Sequence, residues 1–134
     1  MPRALVEVIR DDDSLYRRVF WRHLGSGDEV LPIAFTSNVV PDDKISVDLA
    51  RLTTEEQTLS GGRKPAEEYA LGLIVAAHPR SLGFEVIHRP SPTNVSHSQI
   101  EGENTMTKCY LLAEGVRIIR RPGAGQVRPK GLDD

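Results

Sequence analysis

A histidine and a pair of adjacent arginines are the residues of this chain best suited to chemistry. His97 lies in the polar segment 93–99, where an irregular loop gives way to a predicted short strand, and such loop ends often present functional groups. Beside Arg17 and Arg18, a histidine can act as a general base toward a 2′-hydroxyl or another substrate hydroxyl, while a guanidinium stabilises the developing phosphoryl charge. The competing interpretation is a surface histidine bonded to a loop carbonyl.

A glycine-rich basic loop offers a second candidate site, in this case for an anion. Its residues are Gly61, Gly62, Arg63 and Lys64, and they precede a segment with helical spacing. Backbone amides, a helix N-terminus and two cations would then converge on a phosphate group. The loop lacks the residue order that defines a P-loop, so an exposed linker between two helices is the competing interpretation.

Charge is distributed unevenly along the chain, which suggests binding to a macromolecular partner. The net charge of −2 excludes a uniformly basic nucleic-acid binder. Residues 1–114 carry 12 cations and 17 acids, whereas residues 115–134 carry five cations and two acids. The cations of this C-terminal arm are Arg117, Arg120, Arg121, Arg128 and Lys130. Such an arm can bind nucleic acid or an acidic protein, or it can lie on the acidic surface of its own chain.

Trp21 and Arg22 extend the partner-binding hypothesis, because tryptophan and arginine are frequent at the centres of protein interfaces. The sequence therefore favours an accessory domain that binds a protein or nucleic acid through segment 16–23 and the C-terminal arm. The alternative hypothesis is a small metal-independent enzyme that acts on RNA or a nucleotide, with His97 as its general acid or base. The competing interpretation of Trp21 is that the single tryptophan of the chain belongs to the hydrophobic core and does not contact a partner.

Other functional classes are disfavoured by composition and by residue spacing. The single cysteine, Cys109, cannot form an internal disulfide and favours a reducing compartment. No spacing of histidines or acids predicts a metal site, and no motif indicates a cofactor. No apolar stretch approaches the ~20 residues of a membrane span, and the first ten residues do not resemble a signal peptide. We therefore expect a cytoplasmic protein that needs no metal, cofactor or membrane.

Short segments of both kinds predict an α+β fold. Strands are predicted over residues 4–10, 30–35, 45–49, 84–88 and 98–100, and helices from residue 53 and over residues 66–77 and 105–114. Because strands and helices do not alternate strictly, we expect a mixed or antiparallel sheet of four to five short strands with two to four helices. A single domain over residues 1–121 and a flexible tail over residues 122–134 complete the prediction.

One segment, residues 15–24, fits two kinds of secondary structure. Leu15 and Val19 have helical spacing, whereas Tyr16 and Phe20 belong to an alternation of aromatic and basic residues that is typical of a strand. The helix is slightly favoured, and the strand stays open as an alternative.

Overall fold

Six strands form one antiparallel sheet in the part of this protein that the structure describes. The computed structural model describes residues 6–36 and 43–123. The strands are β1 (Ser14–Phe20), β2 (Lys44–Leu49), β3 (Tyr69–Val75), β4 (Glu85–His88), β5 (His97–Glu101) and β6 (Arg117–Arg120). Their order across the sheet is β4-β5-β2-β1-β3-β6. The α+β class is confirmed, but the predicted count of four to five strands is too low. Two segments predicted as helices are strands, and residues 117–120 form a strand that was not predicted, whereas two of the predicted strands are not part of the sheet.

Three α-helices lie in the described part of the chain: α1 (Glu55–Ser60), α2 (Ala77–Ser81) and α3 (Met106–Glu114). The hydroxyl of Thr54 accepts a hydrogen bond from the Gln57 amide, and that of Thr105 accepts one from the Lys108 amide. These N-caps confirm the helices predicted from residue 53 and over residues 105–114, since a capping hydroxyl is a local signal. α1 begins slightly later than predicted, because its N-cap is Thr54. None of these helices is long and apolar enough to cross a membrane.

The favoured helix over residues 15–24 is wrong. The alternative strand is confirmed for the first part of this segment, which lies in β1, whereas Trp21–His23 form a 3-10 turn. Leu15 and Val19 are buried on one face of the sheet, and Tyr16 and Phe20 lie on the other. β1 pairs with β3 at seven successive positions. This long ladder satisfies the backbone of the segment more completely than an isolated short helix would.

The helix predicted over residues 66–77 is also wrong, because Tyr69–Val75 forms β3. Ala70, Leu71 and Ile74 are fully buried, and β3 lies between β1 and β6. A strand that is covered on both faces has no apolar-polar alternation, so its sequence cannot be distinguished from that of a buried helix.

The first predicted strand, residues 4–10, is not part of the sheet. Residues 6–10 have no regular secondary structure, and residues 4 and 5 lie outside the described ranges. The Arg80 guanidinium donates a hydrogen bond to the Ile9 carbonyl at 2.6 Å. A side chain therefore satisfies a backbone acceptor that a strand partner would otherwise occupy.

The strand predicted over residues 30–35 is replaced by a 3-10 turn, Pro32–Phe35. Proline at its first position favours this start, because its fixed φ suits a helical turn and its missing N–H is not needed there. The strands predicted over residues 45–49, 84–88 and 98–100 are confirmed as β2, β4 and β5.

The two faces of the sheet have different coverings. On the core face, side chains of β1 to β5 join α3 and the Pro32–Phe35 turn in one apolar cluster. Asn104 and Cys109 both donate hydrogen bonds to the Phe35 carbonyl, at 2.8 and 3.2 Å, which fixes the turn against α3. The opposite face carries α1 beside β1 and β3. Over β2 and β5 this second face presents mainly polar side chains. We call the whole face opposite the core the cleft face.

Neighbouring leucines of α3 test this packing. Leu112 is fully buried, whereas Leu111 is 36% exposed. We expect Leu112→Ala to lower the free energy of unfolding by about 2–5 kcal/mol, because it removes buried methyl groups and leaves a cavity. Leu111→Ala should cost less than about 1 kcal/mol. Urea unfolding measures both values, and equal losses would contradict this orientation of α3.

Candidate functional site

The central strands β1 and β2 separate after a short contact. They pair only at Leu15 with Leu49 and at Tyr16 with Asp48. Beyond that point each strand stays paired on its other side, β1 with β3 and β2 with β5. The separation opens a space between the two strands in the middle of the sheet.

Arg17 occupies this space from the core face. Its guanidinium donates hydrogen bonds to the Ser46 carbonyl of β2 at 2.8 Å and to the Ala34 carbonyl at 3.0 Å. It also lies 5.4 Å from the centre of the Phe35 ring. Within the described chain, its buried Nε has no hydrogen-bond partner. Burial, together with the charge of Arg18, lowers the pKa of Arg17 to about 10.

On the face of the sheet opposite the core, this space opens into a cleft of about 840 Å³. The cleft is lined by Tyr16, Arg17, Arg18, Phe20, His23, Ala34, Lys44, Ser46, Val47, Asp48, Gly61, Arg63, Lys64, Tyr69, Asn94, His97 and Gln99. The residues predicted for catalysis, Arg17, Arg18 and His97, therefore line one cleft. It also contains Arg63 and Lys64 of the predicted anion loop.

His97 lies on β5 with its two ring nitrogens in different environments. Nδ1 is 2.9 Å from the Arg89 carbonyl, and Nε2 is 3.4 Å from the Ser46 hydroxyl oxygen. A carbonyl can only accept a hydrogen bond, so Nδ1 must carry the proton of the neutral ring. Nε2 then presents its lone pair toward Ser46 and the cleft, which is the orientation that a general base requires.

The loop over residues 61–64 forms one wall of the cleft. Arg18 donates to the Thr58 carbonyl near the end of α1 at 2.7 Å, where the loop begins. The Lys64 amide donates to the Tyr69 hydroxyl at 3.2 Å, and the Lys64 ammonium lies 5.3 Å from the centre of the Phe20 ring. Gly62 packs against Tyr69 so closely that a Cβ there would overlap the ring. The loop precedes a 3-10 turn and β3, not the helix predicted after it.

Among the described residues, Asp48 is the single acid that lines the cleft, and it is held by neutral donors. Its carboxylate accepts a hydrogen bond from the Thr58 hydroxyl at 2.8 Å and one from the Asn94 side-chain amide at 2.9 Å. Asn94 in turn accepts hydrogen bonds from the amide and hydroxyl of Ser96. This buried network joins α1, β2 and the loop before β5, and so fixes the walls on both sides of His97.

The described lining of the cleft therefore has an excess of positive charge. It contains five cations: Arg17, Arg18, Lys44, Arg63 and Lys64. In the described part of the chain, none of the five forms an ion pair with an acid. Burial and the charge of Arg17 lower the pKa of His23, and burial and the charges of Glu55 and Glu56 raise the pKa of Tyr16.

Five of the residues predicted to bind a partner are not among those that line the cleft: Trp21, Arg22, Arg117, Arg120 and Arg121. Trp21 is half-buried, and the Arg22 guanidinium stacks on its ring at 4.7 Å. Arg117 is exposed on β6 at the sheet edge. The ion pairs of Arg120 with Glu55 and Glu56, and of Arg121 with Asp28, lie on the chain's own surface. The two remaining predicted residues, Arg128 and Lys130, lie outside the described ranges.

Sequence reasoning missed several residues of the cleft, chiefly Ser46, Asp48 and Asn94. The signal for Ser46 and Asp48 was present, because they alternate with buried apolar residues along β2. Their proximity to His97 depends on the pairing of β2 with β5, which no local pattern shows. Cys109 lies on the buried side of α3, and burial raises the pKa of its thiol.

Comparison with family models, with curated proteins and with solved structures finds no match to this chain. Among the described residues, no three His, Cys, Asp or Glu side chains are grouped so that they could hold a metal ion.

The Asp48 network can be tested by one isosteric substitution. Asp48→Asn replaces an acceptor oxygen with an amide group that faces a donor, so we expect the free energy of unfolding to fall by about 1–3 kcal/mol. Ser46→Ala, two residues away on the same face but exposed, should change it by less than about 0.5 kcal/mol. Urea unfolding at neutral pH compares them. An unchanged Asp48→Asn stability would show that the network does not hold the cleft walls.

The lowered pKa of His23 predicts a dependence of stability on pH. The folded state binds the His23 proton more weakly than the unfolded state does, because in the unfolded chain the imidazole has its ordinary pKa of about 6.5. The contribution of neutral His23 to the stability of the fold is therefore fully present above this unfolded-state pKa. It is lost as pH falls toward the lower pKa of the folded state. We expect His23→Gln to show a smaller loss of stability than the wild type between neutral pH and mildly acidic pH in urea unfolding. Parallel losses would contradict the assignment.

Proposed function

We propose that this protein is an enzyme of phosphoryl-group chemistry that binds a nucleotide or an RNA phosphate in the cleft. In this role the cleft cations bind the phosphate oxygens, and His97 is the general acid or base. The observation that carries the proposal is the convergence of Arg17, Arg18 and His97 with the 61–64 loop in one cleft.

The unbalanced positive charge of the cleft lining supports the binding of an anionic ligand. Arg17 and Arg18 are close enough for the second to lower the pKa of the first, and the nearby acid, Asp48, is already bonded to Thr58 and Asn94. A buried charge without an opposite charge is unfavourable unless a ligand neutralises it. A phosphate group supplies that charge, and planar guanidinium groups suit its oxygens.

The remaining lining suits the other parts of a nucleotide. Tyr16, Phe20 and Tyr69 place aromatic side chains beside the cations, and aromatic rings can stack on nucleobases. His97 presents Nε2 to the same space, where it can exchange a proton with a hydroxyl that attacks phosphorus. A bare inorganic anion would use the cations but not these rings.

Partner binding, the hypothesis that the sequence favours, receives less support. Arg120 and Arg121 pair with acids of the same chain, which is the alternative noted for the C-terminal arm. The stacked pair of Trp21 and Arg22 stays a candidate contact for a macromolecule. It lies outside the cleft lining and so can be tested separately.

Ligand binding tests the cleft directly. We expect calorimetric titration with ATP or a short oligoribonucleotide to show binding that weakens as salt rises. Arg63→Ala and Lys64→Ala should each reduce the affinity about tenfold or more, because each removes a charge-assisted contact. The matched controls are Arg22→Ala and Arg117→Ala, which remove exposed cations outside the cleft and should change the affinity little. Loss of binding in the two controls alone would overturn the proposal and favour the partner surface.

Turnover of the same ligands tests His97. His97→Asn keeps a donor for the Arg89 carbonyl but removes Nε2, so we expect binding to persist while turnover falls by about 10²–10⁴-fold. His78→Asn is the control, because His78 bonds to the Leu111 carbonyl and does not line the cleft. A His97→Asn protein that turns over ligand at the wild-type rate would remove His97 from the chemistry.

A further inference from the structure

Ser46 has the position of a nucleophile. It lies on the cleft face of β2, is exposed, and points its hydroxyl at His97 Nε2 across 3.4 Å. On the paired strands, Ser46 is opposite Gln99 and Asp48 is opposite His97, so Ser46 and His97 are diagonal neighbours on one face. A hydroxyl and a base at this separation form the arrangement from which nucleophilic catalysis starts, since such contacts are often long before the substrate binds.

Hydrogen bonds to backbone carbonyls hold both members of the Ser46–His97 pair in position. The Arg89 carbonyl fixes the tautomer of His97 through Nδ1. The Ser46 carbonyl accepts a hydrogen bond from Arg17, and β2 is paired with β5 from Lys44 to Asp48. A third group that orients the base is the usual companion of an activated hydroxyl. In the described chain, the Ser46 hydroxyl has no hydrogen-bond contact other than the one to His97.

The surroundings of Ser46 suit attack on phosphorus. Lys44 lies two residues away on the same face of β2, and Arg18 lines the cleft from β1. Cations beside a hydroxyl nucleophile neutralise the negative charge that otherwise repels it from a phosphate group.

We propose that Ser46 is the nucleophile of this enzyme and that it forms a covalent phosphoserine or nucleotidyl-serine intermediate. This inference rests on the proposed function, because it identifies the hydroxyl that His97 activates. It makes Ser46 and His97 catalytic residues. Arg17 also positions Ser46 through the carbonyl of that residue, in addition to contributing its charge to the cleft.

The reaction takes place in two displacements. First, the Ser46 Oγ–P bond forms while the bond from phosphorus to the leaving oxygen breaks; the hydroxyl proton passes to His97 Nε2 and then to the leaving oxygen. Second, a water oxygen attacks phosphorus and the Oγ–P bond breaks. The water proton passes through His97 to Ser46 Oγ, which restores the enzyme. The net reaction is hydrolysis of a phosphoester or phosphoanhydride, and no oxidant or reductant is needed.

Direct attack by a ribose 2′-hydroxyl is the competing route, with His97 as base in both cases. The two routes differ in their substrates, because only the direct route requires the 2′-hydroxyl. A diribonucleotide and its 2′-deoxy form therefore distinguish them. We expect the wild type to turn over both forms at similar rates.

The intermediate can be located on a single residue. Trypsin cleaves after Lys44 and Arg51, and Ser46 is the only hydroxyl residue of the peptide between them, residues 45–51. After a single turnover with ATP or the dinucleotide and an acid quench, we expect this peptide to carry one added phosphoryl or nucleotidyl group by mass spectrometry. Wild-type turnover without this adduct would overturn the proposal.

Substitutions of Ser46, compared with a control serine, test the same assignment. We expect Ser46→Ala to bind ATP as the wild type does but to lose turnover and the adduct, and Ser46→Thr to restore part of both. Ser60→Ala is the control, because Ser60 is an exposed serine on α1 outside the cleft lining. Wild-type turnover by Ser46→Ala, or turnover of the ribose form alone, would exclude Ser46 while leaving phosphate binding intact. Failure of the wild type to bind or turn over any of these ligands would refute the proposed function itself.

Discussion

The hydrogen bond from Arg17 to the Ser46 carbonyl is the interaction on which the site depends. β1 and β2 are the two central strands of the sheet, yet they pair at only two positions. A gap in the middle of a sheet leaves backbone acceptors without strand partners, and such groups need another donor. The Arg17 guanidinium satisfies one carbonyl on β2 and one on the Pro32–Phe35 turn. The same side chain therefore stabilises the gap and places positive charge inside it.

The pleat of the sheet explains how one set of strands builds both a core and a polar cleft. On β2, Ile45, Val47 and Leu49 are buried on the core face, while Ser46 and Lys44 face the cleft. On β5, Ile100 is buried in the core cluster, while His97 lines the cleft. Because alternate residues point to opposite faces, the apolar residues that hold the strands in register also align the polar residues. A shift of one residue would exchange the two sets.

Local signals allowed part of this fold to be predicted from sequence. The capped helices α1 and α3 and the strands β2, β4 and β5 were predicted correctly, because a cap hydroxyl or a short alternation is contained within a few residues. β1 and β3 were predicted as helices, because their sequences admit both structures and their long mutual ladder decides between them. For the site, residue chemistry selected His97 and the two arginines. It could not select Ser46, which is 51 residues from His97 along the chain and reaches it only through the pairing of β2 with β5.

The lowered pKa of Arg17 connects the stability of this site with ligand binding. Burial and the neighbouring Arg18 make the charged form of Arg17 less favourable than it is in water. An anion bound beside these two groups would restore that pKa toward its ordinary value, so part of the binding free energy comes from relieving this unfavourable charge. By linkage, a ligand that binds only the folded chain stabilises it. If the proposed function is right, the cations of the cleft are in an arrangement that is more stable when an anion occupies it than when it is empty, as expected of a preformed binding site.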